Sequence, residues 1–260
     1  MPEMNSDIEK NALKKLFLNN KRDIDVFVYE SIDSTNTQAK HLFKRDGKDM
    51  LICSKMQTAG RGRSGKSFYS PDKTGVYMSV VLHGEMPLTV AAKATTAAAV
   101  AVCQAIEELT DKKPQIKWVN DIFLDKKKIC GILTEAVPSE NRNTADGLII
   151  GIGLNVSTES FPDELKDIAG SLDSEEIDKN LLVFHICDKL LKYSENLEDP
   201  SVIEKYKARC LVLGKKITFS KNGETFFAYA LDIDKNGGLI VKTENGETLT
   251  LNSGEISIKI

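Results

Sequence analysis

Residues 57–68 read Gln57-Thr58-Ala59-Gly60-Arg61-Gly62-Arg63-Ser64-Gly65-Lys66-Ser67-Phe68. The residues just past the last glycine decide the fold. Gly60, Gly62 and Gly65 fit G-x-G-x-x-G, while Gly60, Gly65, Lys66 and Ser67 fit G-x-x-x-x-G-K-S. Both dinucleotide and P-loop motifs need a helix to open where the glycines end, because its N–H groups and dipole hold the phosphate. Here Phe68-Tyr69-Ser70-Pro71 and Asp72-Lys73-Thr74-Gly75 come next. Pro71 falls where an interior helical N–H would be needed. The stretch therefore reads as a loop leading into a strand, with a P-loop ATPase or switch through GRGRSGKS kept as an alternative. Its glycines make it flexible, and Arg61, Arg63 and Lys66 make it cationic. Like-charge repulsion and glycine entropy predict disorder until an anion binds.

Outward from the loop, strands and helices mix. Val26–Glu30, Leu51–Met56 and Gly75–Leu82 carry strand signals, and residues 34–37 supply caps for a helix over Gln38–Phe43. Leu88–Leu109 is an alanine-rich helix suited to close packing. Gln115–Leu124 and Lys128–Ala136 read as two strands joined by the charged turn Asp125-Lys126-Lys127. Gly147–Val156, GLIIGIGLNV, is an apolar strand that carries glycines. Glu176–Leu197 and Pro200–Leu213 are amphipathic helices. Beyond Leu213-Gly214 the pattern is of short strands only, with hairpin turns at Asn222-Gly223, Asn236-Gly237-Gly238 and Asn245-Gly246. The expected organisation is an α/β domain over 1–213 and a small β-barrel over 214–260.

Bulk properties narrow the function. Hydrophobic residues make up 41% and charged residues 28% of the 260, an ordinary globular balance. Lys+Arg 35 against Asp+Glu 38 gives a net charge of −3, with no basic excess for nucleic acid. Cys53, Cys103, Cys130, Cys187 and Cys210 are too far apart for a C-x-x-C pair and read as reduced thiols of a cytoplasmic protein. Neither a signal peptide nor a membrane span is expected. His41, His83 and His185 are scattered and suggest no catalytic triad.

Two more groups stand out. In Lys117-Trp118-Val119-Asn120-Asp121, a single strand would put Lys117, Val119 and Asp121 on one face and Trp118 and Asn120 on the other. Such polar residues are costly to bury without a ligand. Asp121 is a candidate Mg²⁺ or phosphate-side acid, and Asn120 an amide contact. Lys128 opens an apolar strand with Gly131, so it reads as an inward lysine. Gly151, Gly153 and Asn155 form the last group. Strand glycines mark a bulge or a close neighbour, here another helix or the flat face of a ligand.

Taken in order, Ser34-Thr35-Asn36, Gln57 to Arg63, Lys117 to Asp121, Lys128 with Gly131, and Gly151 to Asn155 resemble the biotin protein ligases. The resemblance covers Ser31 to about Val156, and the C-terminal strands agree with it. It implies a mixed α/β sheet with packed helices, like that of class II aminoacyl-tRNA synthetases, followed by an SH3-like barrel. It implies ATP-dependent activation of biotin to biotinyl-5′-AMP, then transfer to a lysine of a biotin carboxyl carrier protein of acetyl-CoA carboxylase or another carboxylase. Ser34, Thr35, Gln57, Gly60, Arg61, Arg63, Lys128, Gly131, Gly151 and Gly153 would bind biotin. Lys66, Phe68, Lys117, Asn120, Asp121 and Asn155 would bind the nucleotide, with Asp121 on Mg²⁺. Lys128, Arg63 and Lys117 would be catalytic.

The chain departs from the family pattern at Val119, where proline is common, and at Lys66 and Phe68, where arginine and tryptophan are common. Fewer than 30 residues precede the first strand, so no winged helix and no DNA binding are expected. Lipoate ligases share the fold and stand as the alternative within the superfamily. Family members occur as monomers and as homodimers.

Overall fold

The computed structural model describes residues 7–258 except 142, 175, 222, 223, 253 and 255. Its first part runs α1 (Lys10–Asn19), β1 (Asp25–Ile32), α2 (Thr35–Leu42), β2 (Met50–Gln57), β3 (Gly75–Pro87), α3 (Val90–Leu109), β4 (Gln115–Lys117), β5 (Asp121–Leu124), β6 (Lys127–Pro138), β7 (Thr144–Asn155), α4 (Lys179–Ser194) and α5 (Pro200–Lys207). It ends in β8 (Lys216–Lys221), β9 (Glu224–Ile233), β10 (Leu239–Thr243), β11 (Thr248–Leu251) and β12 (Ile256–Ile258).

The larger sheet has the order β1-β2-β3-β7-β6-β5-β4. β1 and β2 are parallel because α2 crosses over between them, and the other neighbours are antiparallel. The mixed sheet that the resemblance implied is therefore present.

The two faces of β7 differ by residue parity. Leu148, Ile150, Ile152 and Leu154 enter the main core with α3 and α4. Gly147, Ile149, Gly151 and Gly153 face the other side, where Ile149 packs under α2 and Phe43, Asn36 and Phe68 press against the glycines. The strand period of two thus separates a core face from a cavity face. α3 is 20 residues long and apolar enough by length and composition to cross a membrane. Most of its residues are instead buried in the protein, Ala94 and Ala97 to Cys103 among them.

Several elements differ from the sequence reading. Gln115–Leu124 is not one strand. β4 and β5 pair antiparallel, Lys117 opposite Asp121, so the chain reverses at Trp118-Val119-Asn120, where the Trp118–Val119 peptide is cis. Lys117 and Asp121 still share a face, but as a cross-strand pair. α1 went unforeseen, since only Leu13 and Phe17 of its charged sequence are buried. α4 begins at Lys179, capped by Asp178, which accepts from Asn180 N and Leu181 N. α5 stops at Lys207, because Arg209 and Leu211 then hydrogen-bond Ile116 and cover the β4 edge.

The second sheet is antiparallel throughout, in the order β11-β10-β9-β8-β12. Among the described residues its edge strands β11 and β12 are not paired with one another, so it is a sheet of five strands and closure into a barrel is not seen. The turns at Gly237 and Gly246 are present, both with positive φ. The expected turn at Asn222-Gly223 lies outside the described residues.

Candidate active site

A cavity of about 390 Å³ opens on the glycine-bearing face of the larger sheet. Every candidate residue except Gly60 lines it. Gly60 is buried behind the loop instead, where a β-carbon would stand 2.4 Å from the Phe68 carbonyl oxygen.

One end is built by α2 and β2. Ser34 occupies the N-cap position of α2 but makes no capping hydrogen bond. Gln57 Oε1 accepts from Thr35 N (2.8 Å) and Thr35 Oγ1 (3.2 Å), while its Nε2 donates to Ser70 Oγ (2.9 Å). Ser79 Oγ hydrogen-bonds Thr35 Oγ1 (2.8 Å) and donates to Asn36 Oδ1 (2.6 Å). Asn36 Nδ2 in turn donates to Glu135 Oε2 at 2.9 Å. Thr35, Asn36, Ser70 and Ser79 are buried, Gln57 and Glu135 half-buried, and all six are partnered, so the end is a preorganised polar wall.

The loop takes a defined path. Arg61 bridges to Ser67, and residues 63–65 form a single 3-10 turn. Like-charge repulsion is offset by partners. Arg61 meets Glu135 at 3.1 Å, and Arg63 Nη1 donates to Asn120 Oδ1 at 2.9 Å. No helix opens after it; the chain goes on to β3, which removes the P-loop alternative.

Glu135 is the anchor that sequence reasoning missed. It also accepts from Lys40 Nζ at 2.7 Å. Burial works against its charge, but Lys40, Asn36 and Arg61 outweigh that and hold its carboxyl below the usual range. Its signal was an acidic residue on an apolar strand.

The glycines make room for side chains of the chain itself. A β-carbon on Gly153 would stand 2.5 Å from Phe68 Cε1, and one on Gly131 would stand 3.4 Å from both Phe68 Cε2 and Lys128 Nζ. Of the expected neighbours a helix is present only at Gly151, where Asn36 of α2 lies close; Phe68 comes from the loop. Phe68 lies on the sheet edge-on to Tyr77, with ring centroids 6.5 Å apart.

The other end is the β4–β5 turn. Lys128 Nζ lies 2.7 Å from Asp121 Oδ1, a charge contact rather than an aligned hydrogen bond. Asn120 Nδ2 donates to Ile132 O at 2.8 Å, and Lys117 Nζ sits 5.5 Å from the Phe123 ring centroid. Asn155 Nδ2 donates to Gly170 O, while its Oδ1 is buried without a protein partner. No cluster of three metal-ligating His, Cys, Asp or Glu side chains exists among the described residues. Cys130 is fully buried and its thiol is pushed well up by burial, so it is no nucleophile.

Two walls were not foreseen. Residues 161–169 cover the cavity with Phe161, Leu165 and Ile168 and are strapped to β6, where Lys128 N donates to Ile168 O at 2.8 Å. Gly254, Ile256 and Ser257 bring the second sheet to the cavity. Residues 161–169 carry no repeating pattern, and the alternation at Ile256-Ser257-Ile258 marks a strand but not its place at the cavity.

A mixed sheet whose glycine-bearing strands lie under a cationic loop, with a small β domain after it, defines a class of ligases. Residues 28–155 match the Biotin/lipoate A/B protein ligase family, and residues 212–259 match the Biotin protein ligase C terminal domain. The "Bifunctional ligase/repressor BirA" of Bacillus subtilis is 36% identical over 230 residues, covering 84% of this chain and 69% of that protein. The chain belongs to the biotin/lipoate protein ligase family, on its biotin protein ligase side. The "Biotin--[acetyl-CoA-carboxylase] ligase" of Mycobacterium tuberculosis is 26% identical over 249 residues, covering 90% and 88%. Among solved structures, the biotin protein ligase of Aquifex aeolicus in complex with biotin and ATP superposes with a TM-score of 0.73 at 25% identity, covering 90% of this chain and 98% of that one.

Proposed function

We propose that this cavity joins biotin to AMP and then passes biotin to a lysine of a carrier protein. One observation carries the reading: Arg63, Lys117 and Lys128, from three separate segments, line one cavity with a preorganised polar wall. Three strands (β3, β7, β6) separate β2 from β5, so the cavity floor spans roughly 19 Å at about 4.8 Å per strand. That suits a long ligand with two different ends.

In the first step a biotin carboxylate oxygen attacks the α-phosphorus of ATP, the bond to the β-phosphate bridge breaks, and pyrophosphate leaves. Two unit charges 4 Å apart repel by about 4 kcal/mol at an effective dielectric near 20. Lys128 and Arg63, with Lys117 and Lys66, supply the opposing charge. In the second step a neutral lysine amine attacks the carbonyl of the mixed anhydride. AMP leaves, and the amine gives up a proton as the amide forms. The substrates provide both nucleophile and leaving group, so no side-chain nucleophile is required.

Ser34, Thr35 and Gln57 take the ureido end of biotin, and Gly60 to Arg63 close over it. Lys128 meets the carboxylate. Lys117, Asn120, Asp121 and Asn155, with Lys66 and Phe68, take the nucleotide. The donor set also suits Mg²⁺: Asp121 offers a hard carboxylate oxygen and Asn155 Oδ1 a partnerless acceptor. Mg²⁺ there would neutralise phosphate charge.

The reading takes residues 214–260 as a separate SH3-like barrel and the first part as a relative of class II synthetase domains. Its acceptor is the carrier domain of acetyl-CoA carboxylase or another biotin-dependent carboxylase. DNA is left out, on the net charge of −3. A homodimer would form through β1, whose outer edge pairs with no other strand among the described residues, unlike the covered edge of β4. Cytoplasmic work fits five unpaired thiols.

The test is incubation with ATP, biotin and an apo carrier domain. Biotinylated carrier and stoichiometric AMP are expected. ADP and phosphate as products would overturn the reading. Preferential use of lipoate in pyrophosphate exchange would move the chain to the sister activity, and binding without turnover would make it a sensor.

A further inference from the structure

Trp118 is the only tryptophan of the chain and is buried. Its indole Nε1 donates to the Gly237 carbonyl at 2.9 Å, which joins the β4–β5 turn to the β9–β10 turn of the second sheet. That second turn is tightly specified. Asp234 Oδ1 accepts from Asn236 N and Gly238 N, both at 2.8 Å, and Gly237 N donates to Asp234 O at 3.0 Å. Gly237 has φ of 85°, and a β-carbon there would stand 2.9 Å from Thr96 Cγ2 of α3. The carbonyl is therefore aimed by the turn. On the cavity side, Tyr206 OH donates to Val119 O at 3.0 Å, and Asn120 is bonded to Ile132 O and Arg63. Continuous contacts run from Asp234 to the loop arginine.

We infer that the second sheet positions the nucleotide end of the cavity through the Gly237–Trp118 hydrogen bond, with Trp118 and Asp234 as positioning residues. The inference rests on the adenylation reading only for which substrate lies there. A hydrogen bond from an indole to a fixed carbonyl is directional. It sets the angle of the turn that carries Lys117, Asn120 and Asp121. Asp234 does not line the cavity, so its effect on a substrate passes through Trp118.

The test uses the full chain with Asp234→Ala, Trp118→Phe and the double variant. Emission from the single indole is expected to shift to the red in Asp234→Ala without substrates. In pyrophosphate exchange, Asp234→Ala should raise the KM for ATP about tenfold, as losing one net hydrogen bond would, and leave the biotin KM within about twofold. Adding Asp234→Ala to Trp118→Phe should raise it no further. An unchanged ATP KM, equal rises for both substrates, or additive effects would overturn the inference. So would failure of both single variants to fold, since the bond would then determine the fold rather than the site. A parent without exchange activity would sink the ligase reading, and the emission shift alone would then decide the bond.

Discussion

Asn36 lies directly over Gly151: a β-carbon at 151 would stand 2.2 Å from Asn36 Oδ1. β7 is an interior strand, paired to β3 and β6, so its backbone cannot retreat. The Asn36 amide would have to give way, losing Ser79 and Glu135 together. Gly151→Ala is expected to cost about 2 kcal/mol of stability. Biotin affinity should fall at least about tenfold, since the wall that carries Thr35 moves with α2. Thermal unfolding and calorimetry with biotin measure the two effects.

Arg63 and Arg61 anchor opposite sides of the loop, on Asn120 and Glu135. Arg63→Gly leaves the Arg61 anchor, so adenylate should still form but escape. Free biotinyl-5′-AMP in an ultrafiltrate is the readout. Equal retention by variant and parent would remove Arg63 from the closure.

Lys128 sits against Asp121 and 3.4 Å from where a Gly131 β-carbon would be, within the cavity. Lys128→Ala should slow pyrophosphate release from biotin and ATP by about a hundredfold or more, the usual cost of deleting one donor aimed at developing charge. Near-normal release would mean another cation faces the carboxylate.

Glu135 carries a pH dependence with a definite sign. Its carboxyl is held below its ordinary value of 4.5 in the folded protein. The stability it adds is therefore full above that value and is lost as pH falls through the lower, folded one. Glu135→Gln should unfold at a lower temperature than the parent at pH 7, and the gap should close in more acidic buffer. A gap constant with pH would show that the anchoring is not ionic.

Much of the fold was legible because its signals were local. Pro71 forbade a helix after the loop, and the hairpin glycines marked the second sheet. The reversal at Trp118-Val119-Asn120 was barely legible: Asn120 is a turn former, but Trp118 and Val119 favour a strand, and the turn is held by Gly237 and Tyr206, far away in sequence. In the cavity, the cationic residues stood out by charge. Glu135 and Ser79 did not, because their role comes from what crosses the sheet to meet them. The glycines were noticed, but only tertiary packing could say that Asn36 and Phe68 fill the space above them.

The alternation along β7 has a consequence for how such a chain can vary. Conservative exchanges among Leu148, Ile150 and Ile152 preserve both faces. Deleting or inserting one residue between 147 and 155 would turn the isoleucines toward the ligand and hand the glycines to the helices. No compensating substitution restores both sides at once, so the length of this segment is held more tightly than its composition, and tolerated indels belong in the connections at either end.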